Sequence, residues 1–213
     1  PVTHIGSWLD MSPRITADAK AEARVRLLEA AATHFAREGL DRASIDAIAL
    51  DAGYAKGTIY NYFEGKTRLF LEVIAEGARR AASRYAEAER GGTVRDRLLS
   101  LAEADVSVVR EEEAFQKVVI RETLSFRFET YPAIVAHLAP YLQRVEAVLA
   151  DGARAGQIRG DRPTQELALL FVGTLALLYV QHWGSGGAWP GLDQIPTLAV
   201  TSFLDGAAPR GSA

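Results

Sequence analysis

Residues 44–66 read SIDAIALDAGYAKGTIYNYFEGK, and the fold is decided there. The first half is short and apolar at Ile45, Ile48 and Ala49. It begins at Ser44, a good N-cap residue, with the acid Asp46 in its first turn. Ala52-Gly53-Tyr54 then reverses the chain within a few residues, and Gly53 is free to take a positive φ. A second short helix over about 56–63 follows at once, with Ile59 and Phe63 four apart on its inward face, and Glu64-Gly65 breaks it. Two short helices joined by a glycine turn and braced by a longer preceding helix form a helix-turn-helix pattern. A packed helical hairpin with incidental tyrosines would carry the same spacing.

The outward chemistry of the second helix favours a reader of DNA. Lys56 offers a charge for phosphate or a donor for a guanine edge. Thr58, Tyr60 and Tyr62 carry hydroxyls for phosphate oxygens, and Asn61 has the amide that reads a base edge. Gly57 removes a side chain where backbone approaches DNA.

Around this stretch the pattern is helical throughout. A first helix is expected over 17–38, with Val25, Leu28, Ala32 and Phe35 on one stripe and Gly39 just past its end. A fourth starts near Lys66 with Leu69, Phe70, Val73, Ile74 and Ala78 on one face, and stops at the glycines 91–92. Longer helices are expected over 94–110, 113–128, 132–155, 163–183 and 192–205, with Pro132 and Pro163 in first turns and Gly156 at a helix end. No segment alternates with period two, so the expected class is all-α without a sheet. Residues 1–14 read as a flexible N-terminal arm, 15–66 as the three-helix DNA-binding domain and 67–208 as a larger helical domain, with a frayed tail from Gly206.

Composition narrows the function. In 213 residues, 48% hydrophobic and 24% charged is the mix of a globular chain with a real core. The absence of cysteine removes disulfides, thiolate zinc sites and a cysteine nucleophile. A net charge of −3 argues against coating nucleic acid by bulk attraction, yet leaves room for a local basic reader. The greasiest run, residues 167–180, is too short for a bilayer core of roughly 30 Å and suits a buried helix. With no secretory signal, the reading is a soluble cytoplasmic protein without a membrane partner. His4, His34, His137 and His182 are scattered without a metal-binding pair, and no nucleophile elbow or acidic cage occurs. Neither an enzyme, a metal site nor a cofactor is expected.

Residues from about Arg24 to Phe70 resemble the N-terminal domain of the TetR/AcrR family of transcriptional regulators. The segments LLEAAATHFAREG, ASIDAIALDAGYAKGTIYNYFEGK and TRLF carry the likeness. It implies a phosphate contact from Ser44, backbone positioning by Thr58, Tyr60 and Tyr62, and a phosphate contact from Lys66. Lys56, Gly57 and Asn61 are the implied base-proximal residues. Tyr54 departs from a common small aliphatic, and Ala55 from a common Ser or Thr cap.

The resemblance also implies a homodimer on a double-stranded, palindromic operator, and a C-terminal domain that binds a small-molecule effector and dimerises through its last two helices. Residues 163–183 are apolar nearly all round, as such an interface requires, although a central helix of a monomer has the same composition. Phe171 and Leu178 on that helix, with Leu198, Phe203 and Leu204 on the last, are the expected interface residues. The effector is expected to be mostly apolar or aromatic. Glu122 falls within an apolar stripe of Phe115, Val118, Val119 and Phe126, either as a pocket acid or as one half of an internal bond. Phe126, Tyr141, Tyr179, His182 and Trp183 complete the candidate effector site. An effector-responsive repressor is the leading reading. A constitutive structural DNA-binding protein, an activator and an all-helical enzyme are the alternatives.

Overall fold

The computed structural model describes residues 17–88, 91–125 and 127–207. The expected arm at 1–14, Phe126 and the tail beyond residue 207 lie outside the described residues. Among the described residues the chain is helical with no strand: α1 (Ala17–Arg42), α2 (Ile45–Asp51), α3 (Lys56–Tyr60), α4 (Lys66–Glu87), α5 (Val94–Glu111), α6 (Glu113–Thr123), α7 (Tyr131–Arg154), α8 (Thr164–Gly184) and α9 (Ile195–Ala207).

Helix ends follow local chemistry. Thr93 and Asp96 form a reciprocal capping box that starts α5. Gly39 has φ 78° and ψ 171°, so the regular part of α1 stops where a glycine was expected to end it. Three expectations are corrected. The second short helix stops at Tyr60, because Gly57 and the β-branched Thr58 and Ile59 are poor helix formers; Tyr62 and Phe63 both return to the Ile59 carbonyl. The helix expected over 113–128 stops at Thr123. The last expected helix divides into a 3₁₀ turn, Leu192–Gln194, and α9, whose second residue is Pro196.

Two apolar cores organise the molecule. The first joins Leu27, Leu28, Ala31 and Phe35 of α1 to Ile48, Ala49, Ile59, Leu69 and Phe70. Phe35 meets Phe70 edge to face at 5.0 Å. Val25, expected on this stripe, is exposed, and Leu27 takes the inward position instead. This core also takes in Phe115, Val118, Val119 and Ile134, so no break in packing falls at residue 66. The second core gathers α5, α7, α8 and α9 around Leu98, Val145, Leu149, Phe171 and Leu175. At 21 residues α8 is longer than its greasiest run, and by length and composition alone it would also suit a membrane span.

Candidate nucleic-acid interface

The head is assembled from its caps inward. Ser44 Oγ accepts from the Ala47 amide at 3.4 Å and starts α2. Gly53, at φ 81°, lets the Tyr54 amide reach back to the Ala49 carbonyl at 2.8 Å. Ile48, Ala49 and Ile59 are fully buried, which presses α2 and α3 onto α1. The opposite side of α3 therefore faces out: Lys56, Gly57, Tyr60 and Asn61 are exposed, while Thr58 and Tyr62 are half-buried. A Cβ on Gly57 would meet nothing within 4 Å, so the packing of the chain itself does not require glycine there. Ala55 gives α3 no side-chain cap.

The basic groups of this face are already engaged. Lys56 Nζ lies 2.9 Å from Asp46, whose hydrogen bond and charge raise the lysine pKa and favour its ammonium form. Lys66 Nζ donates to the carbonyls of Asp41 at 2.7 Å and Ala43 at 3.2 Å, tying the start of α4 to the α1–α2 junction. Two of its three donors thus serve the fold, a role the sequence reading did not assign.

A polar joint connects head and body. Arg121 of α6 donates to the Ala36 and Arg37 carbonyls at 3.1 Å each, capping the orphan end of α1. Its guanidinium would lie 3.2 Å from a Cβ on Gly39, so that glycine serves both its φ and the close approach. Glu122 belongs to this joint. Its carboxylate accepts from Arg127 Nε at 3.0 Å and from the Thr130 hydroxyl, the internal bond of the two readings open for it. The early end of α6 makes this possible by folding Arg127 and Thr130 back over the acid. Glu122 therefore does not line the cavity of the helical body.

That cavity, about 50 Å³, lies between α4, α5, α6, α7 and α8. Tyr141 and Tyr179 line it as expected candidates. His182 and Trp183 do not: His182 Nδ1 sits 2.8 Å from the Pro190 carbonyl, and the Trp183 ring packs 6.0 Å from Tyr179 with Lys117 over it at 5.3 Å. The sequence reading missed Tyr85, Asp105, Gln116 and His137, which also line it. Asp105 accepts from Tyr85 at 2.8 Å and from Tyr179 at 2.7 Å, and burial raises its pKa against those bonds. The available signal was its place on the inward stripe Leu98, Ala102, Asp105, Val109, spaced as Glu122 is on α6.

Residues 27–73, which span this head, match the family of bacterial regulatory proteins named tetR. The match places the head, residues 27–73, with the TetR family. The chain is a transcriptional regulator rather than an enzyme. The transcriptional repressor AcnR of Corynebacterium efficiens is 26% identical over 191 residues, 88% of this chain and 95% of that protein. Two solved structures share the fold. FadR of Bacillus subtilis in complex with stearoyl-CoA has a TM-score of 0.74 at 18% identity, covering 85% of this chain and 98% of that one. A putative regulator from Saccharomonospora viridis in complex with choline has 0.69 at 24%, covering 87% and 96%.

In the helical body the residues expected at a dimer face divide. Phe171 is corrected: it is fully buried within its own chain, ring to ring with Phe203 at 5.3 Å, because α9 folds over that side of α8. Phe203, Leu204 and Leu178 pack partly against the same core, and Leu198 is half-buried. The open side of α8 instead carries Leu169, Leu170, Leu177 and Val180, with Leu169, Leu170 and Leu177 more than 60% exposed. Leu170, Leu177 and Val180 fall on one face, at i, i+7 and i+10.

Proposed function

We propose that this regulator is an effector-responsive repressor that binds a palindromic operator as a homodimer. The observation that carries the reading is the outward face of α3. Lys56, Tyr60 and Asn61 stand exposed on a helix whose inward residues are fully committed to packing. Ser44, Gly57, Thr58, Tyr62 and the remaining donor of Lys66 are the accompanying contacts to phosphate and backbone. Gly57 fits such a surface, since a site the fold leaves open is one where DNA backbone can come close.

A second copy is the partner proposed for α8. An exposed row of leucines on a regular helix is an unfinished interface, and a two-fold axis would bury it against itself. The two heads would then sit in successive major grooves, roughly 34–36 Å apart, and small changes in their separation would decide affinity. Ligand complexes among proteins of this fold, with stearoyl-CoA and with choline, support a small-molecule effector. The proposed site is the body cavity, mostly aliphatic with a few polar groups, suited to a largely apolar ligand. A ligand there has two routes to the head: α4, and the Arg121–Arg127 joint.

Selection from a pool of randomised DNA duplexes tests the reading. The expected product is a pair of inverted half-sites one helical turn apart, bound by two chains. Recovery of no shared sequence would reduce the protein to a non-specific DNA binder and overturn the proposal.

A further inference from the structure

We propose that the body cavity selects an organic cation, with Asp105 as its counter-charge and the rings of Tyr85, Tyr141 and Tyr179 as its wall. This rests on the effector reading above and gives it a ligand class.

Asp105 lies within the bundle, and among the described residues its two carboxylate oxygens accept from the phenols of Tyr85 and Tyr179 and pair with no cation. On the surrounding helices, Arg80 pairs with Glu76 and Glu112, Arg84 with Glu111, Arg110 with Asp193 and Lys117 with Glu113 rather than with Asp105. His137 on the cavity wall has its pKa lowered by burial, so it supplies no positive charge at neutral pH. Holding a carboxylate charged within a bundle is costly when phenols, and no cation, face it, and desolvation raises its pKa accordingly. Its placement makes sense when a ligand supplies the missing charge.

Two further observations agree. Tyr85 and Tyr141 pack with ring centroids 4.6 Å apart, and the Tyr141 hydroxyl is fixed on the Leu101 carbonyl at 3.1 Å. Fixed aromatic rings beside a carboxylate make a cation–π enclosure. Gln116 lines the same cavity, is only 6% exposed, and its Nε2 has no hydrogen-bond partner. An unpaired buried donor is costly, and an acceptor on the ligand would satisfy it. The ligand is therefore an ammonium on an apolar body with an acceptor some distance from the charge.

At about 50 Å³ the cavity holds one or two waters, a water occupying roughly 30 Å³ of liquid, so such a ligand must displace its walls. His137 is one of those walls. Its Nδ1 lies 3.3 Å from the Ile74 carbonyl of α4, the helix that begins in the head. Displacement of α7 by a cation would thus reach α4 directly.

The full-length protein at pH 7.5 is titrated with benzylammonium, benzyl alcohol and phenylacetate, which share one apolar body and differ in charge. Calorimetry and thermal melting are expected to show benzylammonium binding at least 10-fold more tightly than the other two, and Asp105→Asn is expected to abolish that preference. Asp105→Leu is the second variant, expected to lose the preference as well, and to melt lower than Asp105→Asn because it leaves the Tyr85 and Tyr179 hydroxyls without an acceptor. Equal binding of all three probes, no binding of benzylammonium, or a preference that survives in both variants would overturn the proposal. So would failure of both variants to fold, since the carboxylate would then be a structural anchor. Operator affinity, read in the same samples, separates the two claims. Asp105-dependent binding that leaves DNA affinity unchanged supports the cation site and removes effector control. DNA release by phenylacetate or benzyl alcohol alone keeps effector control and removes the cation.

Discussion

Arg127 grips Asp41 through two hydrogen bonds, 2.8 and 3.3 Å long, while its Nε holds the buried Glu122 at 3.0 Å. One side chain thus ties the turn before α7 to the end of α1 and neutralises an acid inside the joint. Removing it differs from removing its exposed partner. Arg127→Ala leaves Glu122 without a cation and is expected to lower unfolding free energy by about 2–4 kcal/mol, as for a broken, largely buried pair. Asp41→Ala breaks only the exposed arm and is expected to lose much less. Urea denaturation of the two variants checks this. Equal losses would mean that Arg127 acts on stability through Asp41 alone.

Lys56 and Asp46 form an exposed ion pair at the start of α3, so DNA must compete with Asp46 for the ammonium. Asp46→Asn is expected to strengthen binding to all sequences by releasing Lys56. Lys56→Ala is expected to weaken binding uniformly and to reduce the slope of log K against log salt by roughly 1. Asn61→Ala is expected to relax preference at a single base pair, by about 1–3 kcal/mol. Fluorescence anisotropy at several salt concentrations separates the three. Wild-type binding by all of them would remove α3 from the interface.

The head was legible because its information is local. Ser44, Gly53, Ile59 and Gly65 punctuate residues 44–66 at spacings that a turn and two inward faces dictate, and the structure keeps each in its expected place. The body was less legible because it depends on which helix faces which. Phe171 and Leu177 are equally apolar in sequence, and only the packing of α9 decides that the first is core and the second is open. Asp105 escaped notice for a related reason: its tyrosine partners are 20 and 74 residues away. The end of α6 at Thr123 was hidden in the same way. Glu122 reads as one more inward residue until Arg127 and Thr130 fold back onto it.

Glu76 gives the molecule a specific acid sensitivity. Arg79 bonds both its oxygens, at 3.0 and 2.6 Å, and Arg80 adds a third bond at 2.8 Å. These bonds, that to Arg79 foremost, hold its pKa at about 2 against a usual 4.5. A depressed carboxyl contributes its full stabilisation above the unfolded value and loses it as pH falls through the folded one. The difference in melting temperature between wild type and Glu76→Gln is therefore expected to be constant above about pH 5 and to shrink between pH 4.5 and 2. A difference that stays constant down to pH 2 would place the effect of the substitution in packing rather than charge.

Leu170 and Leu177 provide the sharpest test of assembly, because their neighbour Phe171 supplies its own control. Phe171 is fully enclosed against Phe203, so Phe171→Ala leaves a cavity and is expected to reduce unfolding free energy by about 3–5 kcal/mol. Leu170 and Leu177 are exposed in the single chain, and a glutamate at either place loses little packing there. Across a two-fold axis the same glutamate would meet the apolar face of the partner, and its own copy, with no cation to pair. Leu177→Glu is therefore expected to keep the helical spectrum of the wild type and to sediment as a monomer at micromolar concentration, where the wild type sediments as a dimer. Operator affinity should fall with it, since one head in one groove forfeits the second set of contacts. A Leu177→Glu protein that remains dimeric would move the interface off this face of α8, and a monomeric wild type would remove the dimer altogether.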